Sequence, residues 1–302
     1  MSDYVILIIS LAVALLGNIF RKYFSDKTDS NVFGGFLYNA VVFAVSAVVL
    51  VLWGGFGNTS WYTALLGLIF GVMIAINGVT YTFAIQSGPL SYTTVIVSFS
   101  TILTALSGMM FFNENISWAQ VVGIILMIVS FVIAADNGKG QKRANLKWLL
   151  LCLAAFASQG GIGLMQKIHQ SSAHKGELNS FLIIAFIVSA IASASVSACL
   201  YGKERGADGG LLGERGDKAR FAFLMITVMV LAGACMASNH KLNLYLSGVM
   251  DSAVFFPIVN GGGLVLTTLA AVLLFRERLS KKQWVGLLFG IASVVFLCNP
   301  FA

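Results

Sequence analysis

One pattern of fourteen residues occurs twice in this chain. Phe111–Ile124 and Leu274–Leu287 agree at six of fourteen positions: Phe112/Phe275, Glu114/Glu277, Ser117/Ser280, Gln120/Gln283, Val122/Val285 and Gly123/Gly286. Average residue usage would supply about one such match by chance. The second copy lies within Val249–Leu297. There an apolar run containing Pro257 and Asn260-Gly261-Gly262-Gly263 leads into the basic hairpin Arg276–Lys282, and a further apolar run follows. The first copy spans Pro89–Phe131. A tandem duplication of an apolar unit limits the fold to one that can be built from two such halves.

Composition places that unit in a bilayer. The chain is 58% hydrophobic and 10% charged, with three prolines, which excludes an ordinary soluble domain. Ten apolar segments can be drawn, at 4–20, 33–53, 61–86, 89–112, 117–135, 148–167, 180–201, 221–246, 249–275 and 283–298. Each approaches the roughly 20 residues that cross a hydrocarbon core of about 30 Å. Helices are the open-ended way to satisfy their backbone groups in lipid. Tyr4–Phe20 is followed by Arg21-Lys22 and lacks a small-residue cleavage pattern, so no cleavable signal peptide is expected. Cys152, Cys199, Cys235 and Cys298 all fall in apolar runs without paired spacing, which supports neither a disulfide framework nor a zinc site.

The expected fold class is an all-α integral membrane protein of ten transmembrane helices in two inverted five-helix repeats. The domain boundaries are 1–135 for the first repeat (helices 1–5), 136–147 for the linker and 148–302 for the second repeat (helices 6–10). Five is odd, so successive repeats insert with opposite orientations, an architecture of secondary transporters with a site near the midplane. The repeat also extends backwards, through Ser87-Gly88 and Ser247-Gly248. Of the 19 Lys and Arg residues, all but Lys167, Lys175 and Lys241 lie in loops after odd-numbered segments. The positive-inside rule makes those loops cytoplasmic, including 136–147 and 202–220, and puts both termini outside. The +7 net charge then belongs to a membrane face and gives no reason to expect nucleic acid.

Two five-helix halves, each with a Glu closing its fourth helix and a downstream Gln-x-x-Gly, resemble the EamA-type members of the drug/metabolite transporter superfamily. The residues that carry the resemblance are Glu114, Gln120 and Gly123, and again Glu277, Gln283 and Gly286. The resemblance implies a multi-pass carrier. It does not imply a substrate, because the family moves amino acids, sugars, nucleotide sugars, organic acids and cations. It also implies cytoplasmic termini, against the charge count. Segment four has no counterpart of Pro257 inside it, so the halves are not equivalent.

Polar groups at membrane depth are costly and require a structural or functional reason. Asn77 and Tyr81 lie four apart on one face of segment three, Asn77 near mid-membrane, where an amide needs partners. For Asn77, Asn39, Ser158 and Gln159, helix–helix adhesion and substrate contact are both open readings. Asn18, near a helix end, leans to adhesion. Pro257, Asn260 and the glycines from Gly261 predict a broken helix lining the substrate path, with close glycine packing as the bland alternative. Asn239, His240, Lys241 and Asn243 cover more than half of the circumference of segment eight, so that turn cannot face lipid. Lys241 is expected either to hold the acid group of a substrate or to anchor at the interface beside Asp251. Arg276, Arg278, Lys281 and Lys282 read as topology determinants, and Glu114 and Glu277 as residues securing tight turns.

The candidate substrate-binding set is therefore Asn77, Tyr81, Gln159, His240, Lys241, Asn260 and Gly261. Neither cofactor nor metal is expected, and no enzymatic activity. No Walker loop is present to drive transport with ATP. Any coupled proton would fall to His240 or Lys241, since no carboxylate lies mid-segment. The expected function is a secondary transporter of a small polar metabolite, anionic or zwitterionic, working by alternating access in the cell membrane. A non-transporting receptor or scaffold with the same fold is the alternative. The expected partners are the small-molecule substrate and the lipid bilayer, with a homodimer left open.

Overall fold

The computed structural model describes residues 2–28, 32–87, 93, 96–134, 146–204, 218–275 and 280–298. Several sequence expectations lie outside the described residues: the start of segment four around Pro89, most of the linker, the loop core 205–217, and Arg276, Glu277 and Arg278 of the second hairpin. Among the described residues the secondary structure is entirely helical. The helices are α1 (Asp3–Thr28), α2 (Val32–Gly54), α3 (Trp61–Ser87), α4 (Ser100–Phe112), α5 (Trp118–Ala134), α6 (Leu146–Gln170), α7 (Leu178–Glu204), α8 (Lys218–Val249), α9 (Ser252–Pro257), α10 (Gly263–Phe275) and α11 (Lys281–Cys298). A 3-10 turn at Lys175–Glu177 precedes α7, and a π-helical turn at Ile258–Gly262 joins α9 to α10.

Seven of these stretches are long and apolar enough to cross a membrane: Asp3–Thr28, Val32–Gly54, Trp61–Ala84, Leu146–Gln170, Lys175–Leu200, Ala219–Val249 and Ser252–Leu274. Two shorter apolar helices are Ile96–Phe112 and Trp118–Ile133. Exposed Leu52, Trp61, Trp118, Phe223 and Leu288 suit a lipid-facing perimeter, where apolar side chains carry no penalty.

The chain divides into two compact units, each drawing on both halves of the sequence. The first contains residues 1–11, 76–172 and 244–302, and the second 12–75 and 173–243. In the first unit the duplicated residues make duplicated bonds. Ser117 N–H donates to Gln120 Oε1 at 2.8 Å, and Gln120 N–H to Ser117 Oγ at 3.3 Å. The same two bonds, at the same two distances, join Ser280 and Gln283. Each pair is a capping box that satisfies amides otherwise orphaned at the start of a helix. Further along, Ser130 Oγ donates to Gly286 O at 2.6 Å and Ser293 Oγ to Gly123 O at 2.7 Å. The ascending order on α5 meets the descending order on α11, so the two helices run antiparallel. A Cβ on Gly123 would lie 2.7 Å from Leu297 Cγ, so glycine permits this approach. Below the seam, Leu7, Met127, Phe131, Leu246, Phe255, Ile258 and Leu297 form an apolar core.

The second unit is organised by α2 and α7, also antiparallel. Asn179 Nδ2 donates to Leu50 O at 3.2 Å, the Phe43 and Phe186 rings stack at 6.0 Å, and Ser197 Oγ donates to Phe33 O at 3.4 Å. α3 lies close against α7. A Cβ on Gly71 would be 2.6 Å from Ala185 O, and Ser189 Oγ donates to Gly71 O at 3.1 Å. Small residues and hydroxyl-to-carbonyl bonds of this kind hold helices together where the solvent is itself apolar.

Pro257 and the glycines do not break the helix. The chain continues from α9 to α10 through the π turn at Ile258–Gly262, with no non-helical residue between them.

Candidate functional site

A cavity of about 130 Å³ opens among three helices of the second unit. α1 contributes Ala14, Gly17, Asn18 and Arg21, spaced so as to fall on one helical face. α2 contributes Tyr38, Asn39 and Val42, and α8 contributes Cys235, Met236, Asn239 and His240. The volume is well under the roughly 300–1,000 Å³ of sites for drug-sized ligands, so a ligand of few heavy atoms is the one that fits. α1 packs against α8 at Gly17, where a Cβ would sit 3.6 Å from Cys235 Cβ, in ordinary contact, so the spacing does not depend on glycine. Buried Tyr38 packs on Phe24 with ring centroids 4.7 Å apart.

Among the described residues, the cavity lining has three amides, a phenol, an imidazole and one guanidinium, and no carboxylate. The His240 ring meets Phe186 edge-on at 5.3 Å and Phe70 at 6.4 Å, which fixes its plane. Its Nδ1 is buried and has no hydrogen-bond partner among the described residues. Asn239 is held by Asn243, whose Nδ2 donates to Asn239 Oδ1 at 3.3 Å. Such a surface suits a ligand carrying negative charge and hydrogen-bonding groups.

The other residues singled out from the sequence fall elsewhere. Lys241 follows His240 but does not line the cavity; its Nζ stands 4.3 Å above the Trp53 ring centroid, a cation–π contact at the end of α2. In the first unit, Asn77 Nδ2 donates to Ala155 O at 3.0 Å and approaches Ser158 Oγ at 3.4 Å, tying α3 to α6. Tyr81, one turn on, and Gln159 are half-buried. Asn260, within the π turn, donates to Thr101 Oγ1 at 3.1 Å. Gly261 is buried and closed off by Met127, whose terminal atoms occupy the place that a Cβ would take. Of the seven, His240 alone faces the cavity of the second unit. Asn77, Asn260 and Gly261 make contacts between helices of the first.

A second polar cluster, in the first unit, has Glu114 at its centre. Asn113 ends α4 in the left-handed conformation, with φ 52°, which asparagine tolerates. Glu114 N–H then bonds back to Gly108 O at 3.2 Å, folding the carboxylate under its own helix. There Glu114 Oε1 pairs with Lys167 Nζ at 2.5 Å, and Oε2 accepts Ser252 N–H at 2.7 Å. Lys167 also donates to Met250 O at 3.0 Å. The two side chains are 9% and 8% exposed. Gly108 leaves the space, since a Cβ there would run into the Glu114 carboxylate and lie 2.8 Å from Ser252 Cβ.

Sequence reasoning assigned Glu114 to a tight turn but missed Lys167 as its partner, and read Arg21 only among the loop cations. The available signal for Arg21 was its spacing. Gly17, Asn18 and Arg21 are three and four apart, on the face of α1 that carries the amide.

Among known proteins, residues 1–135 match the EamA-like transporter family. A relative from Haemophilus influenzae, described as an uncharacterized protein, is 23% identical over 211 residues. The match covers 66% of this chain and 62% of that protein, under two thirds of its length. A solved crystal structure of a protein superposes with a TM-score of 0.71 over 98% of this chain and 96% of its own, at 14% identity. That likeness is one of fold.

Proposed function

We propose, from the match of residues 1–135 to the EamA-like transporter family of the drug/metabolite transporter superfamily, that the protein is a secondary carrier of a small polar metabolite, anionic or zwitterionic. Members of this family are transporters rather than enzymes, and the apolar helices make the chain a multi-pass membrane protein. The observation that carries the reading is the cavity of the second unit: amides, a phenol, an imidazole and a guanidinium gathered inside otherwise apolar helices, with no carboxylate among them. Polar groups among apolar helices are costly, and of these His240 Nδ1 has no hydrogen-bond partner among the described residues.

Alternating access between two inverted repeats of five helices is the proposed mechanism, and the cell membrane the proposed location. Two observations support it: α2 runs antiparallel to α7, and α5 to α11, in each case the helices at equivalent positions of the two sequence copies. Rocking of one repeat against the other would expose the site to each side in turn. The test is counterflow by purified protein in liposomes, across a library of small acids, amino acids, sugars and amines. Saturable exchange of a compound that also stabilises the protein is expected. Binding without flux of any compound would assign a receptor or scaffold role instead.

A further inference from the structure

The geometry points to Arg21 as the group that selects cargo charge: the cavity between α1, α2 and α8 is a site for a short-chain organic acid, its carboxylate on the Arg21 guanidinium. This rests on the carrier reading and adds the cargo class and the residues that recognise it. Arg21 and His240 both line the cavity, on α1 and α8. Arg21 forms no ion pair among the described residues and is exposed. A planar fork of donors matches a carboxylate at two points, which an ammonium does not. No acid lines the cavity among the described residues, so none of them competes for that fork.

The position of Arg21 along its helix lets it wait for cargo at low cost. It lies eighteen residues beyond Asp3, where α1 begins, or about 27 Å at 1.5 Å per residue. That is close to the far edge of a hydrocarbon core about 30 Å thick, within reach of water. His240 lines the same cavity with a ring held edge-on by Phe186, its Nδ1 buried and without a hydrogen-bond partner among the described residues. Lys241 is the competing cation, but it is engaged with Trp53 and stands outside the lining.

The test uses the purified full-length protein and four three-carbon probes of matched size: lactate, alanine, 2-amino-1-propanol and propane-1,2-diol. Binding is read by thermal shift and by calorimetry. Lactate or alanine should stabilise the protein, and the amine and the diol should not. Arg21→Gln should weaken acid binding at least tenfold, Arg21→Lys should retain part of it, and Lys241→Met should stay within twofold of the parent. A cation that binds better than the acids overturns the inference. So does an Arg21→Gln variant that binds normally, a loss confined to Lys241→Met, or the absence of a shift with all four probes. Acid binding that needs Arg21 but gives no flux in liposomes would leave this site standing and remove the carrier reading.

Discussion

Two polar clusters interrupt the apolar helices of this protein, and they are opposites. Around Glu114 and Lys167 each charged group has its complement: carboxylate to ammonium at 2.5 Å, carboxylate to the Ser252 amide at 2.7 Å, ammonium to the Met250 carbonyl at 3.0 Å. In the cavity of the second unit a guanidinium has no counter-ion among the described residues, and an imidazole nitrogen has no bond. The presence of a cation does not separate the two clusters, since both hold one. Satisfaction separates them. A charge whose partners are all supplied by the fold belongs to the architecture, and one whose partner is missing is available to something else.

If that contrast holds, substitutions should sort by it, and the largest effect should come from the sealed pair. Lys167→Met strands a buried carboxylate and should cost about 3–5 kcal/mol of stability, read as a fall in the thermal midpoint in detergent. A cost below about 1 kcal/mol would mean that the pair is not sealed at all. Glu114→Gln combined with Lys167→Met should recover part of the loss, because neither charge is then left alone. Next comes Gly71→Ala, which places a Cβ 2.6 Å from the Ala185 carbonyl. Overpacking of this kind should cost about 1–3 kcal/mol, and normal stability would show that the α3–α7 seam can yield.

Asn77→Leu should fall lower, near the average of about 0.6 kcal/mol for a hydrogen bond between membrane helices. A cost several times larger would move Asn77 from a simple tie to a centre of the first unit. Smallest of all is Arg21→Gln, which should leave stability within about 0.5 kcal/mol of the parent. Destabilisation as large as that of Lys167→Met would erase the comparison, because Arg21 would then be architecture too.

Much of the fold could be read from the chain. Apolar runs marked the helices, and the recurrence of Ser117 and Gln120 as Ser280 and Gln283 marked the duplication because both pairs perform the same capping. The pairing of Glu114 with Lys167 was hidden, since the two are far apart in sequence and each looks locally like a helix-end charge. Arg21 was obscured for a related reason: cations beside apolar runs already satisfy the positive-inside rule, which leaves nothing to prompt a second role. The π turn after Pro257 was not legible either. A proline followed by glycines fits an interrupted helix as well as a re-registered one, and packing decides between them. Here Met127 over Gly261 and the Thr101 bond to Asn260 favour the continuous helix.

The seam between α5 and α11 has an implication of its own. Ser130 reaches Gly286 while Ser293 reaches Gly123, so each partner gives what it receives. Reciprocity of this sort defines an isologous contact, the kind that two identical chains make across a two-fold axis. The bonds depend on local residues of the two helices and not on the covalent path from one to the other. Two separate half-length polypeptides could make them equally well, and joining the halves adds only a fixed one-to-one ratio. In this seam the protein carries a homodimer interface drawn within a single polypeptide.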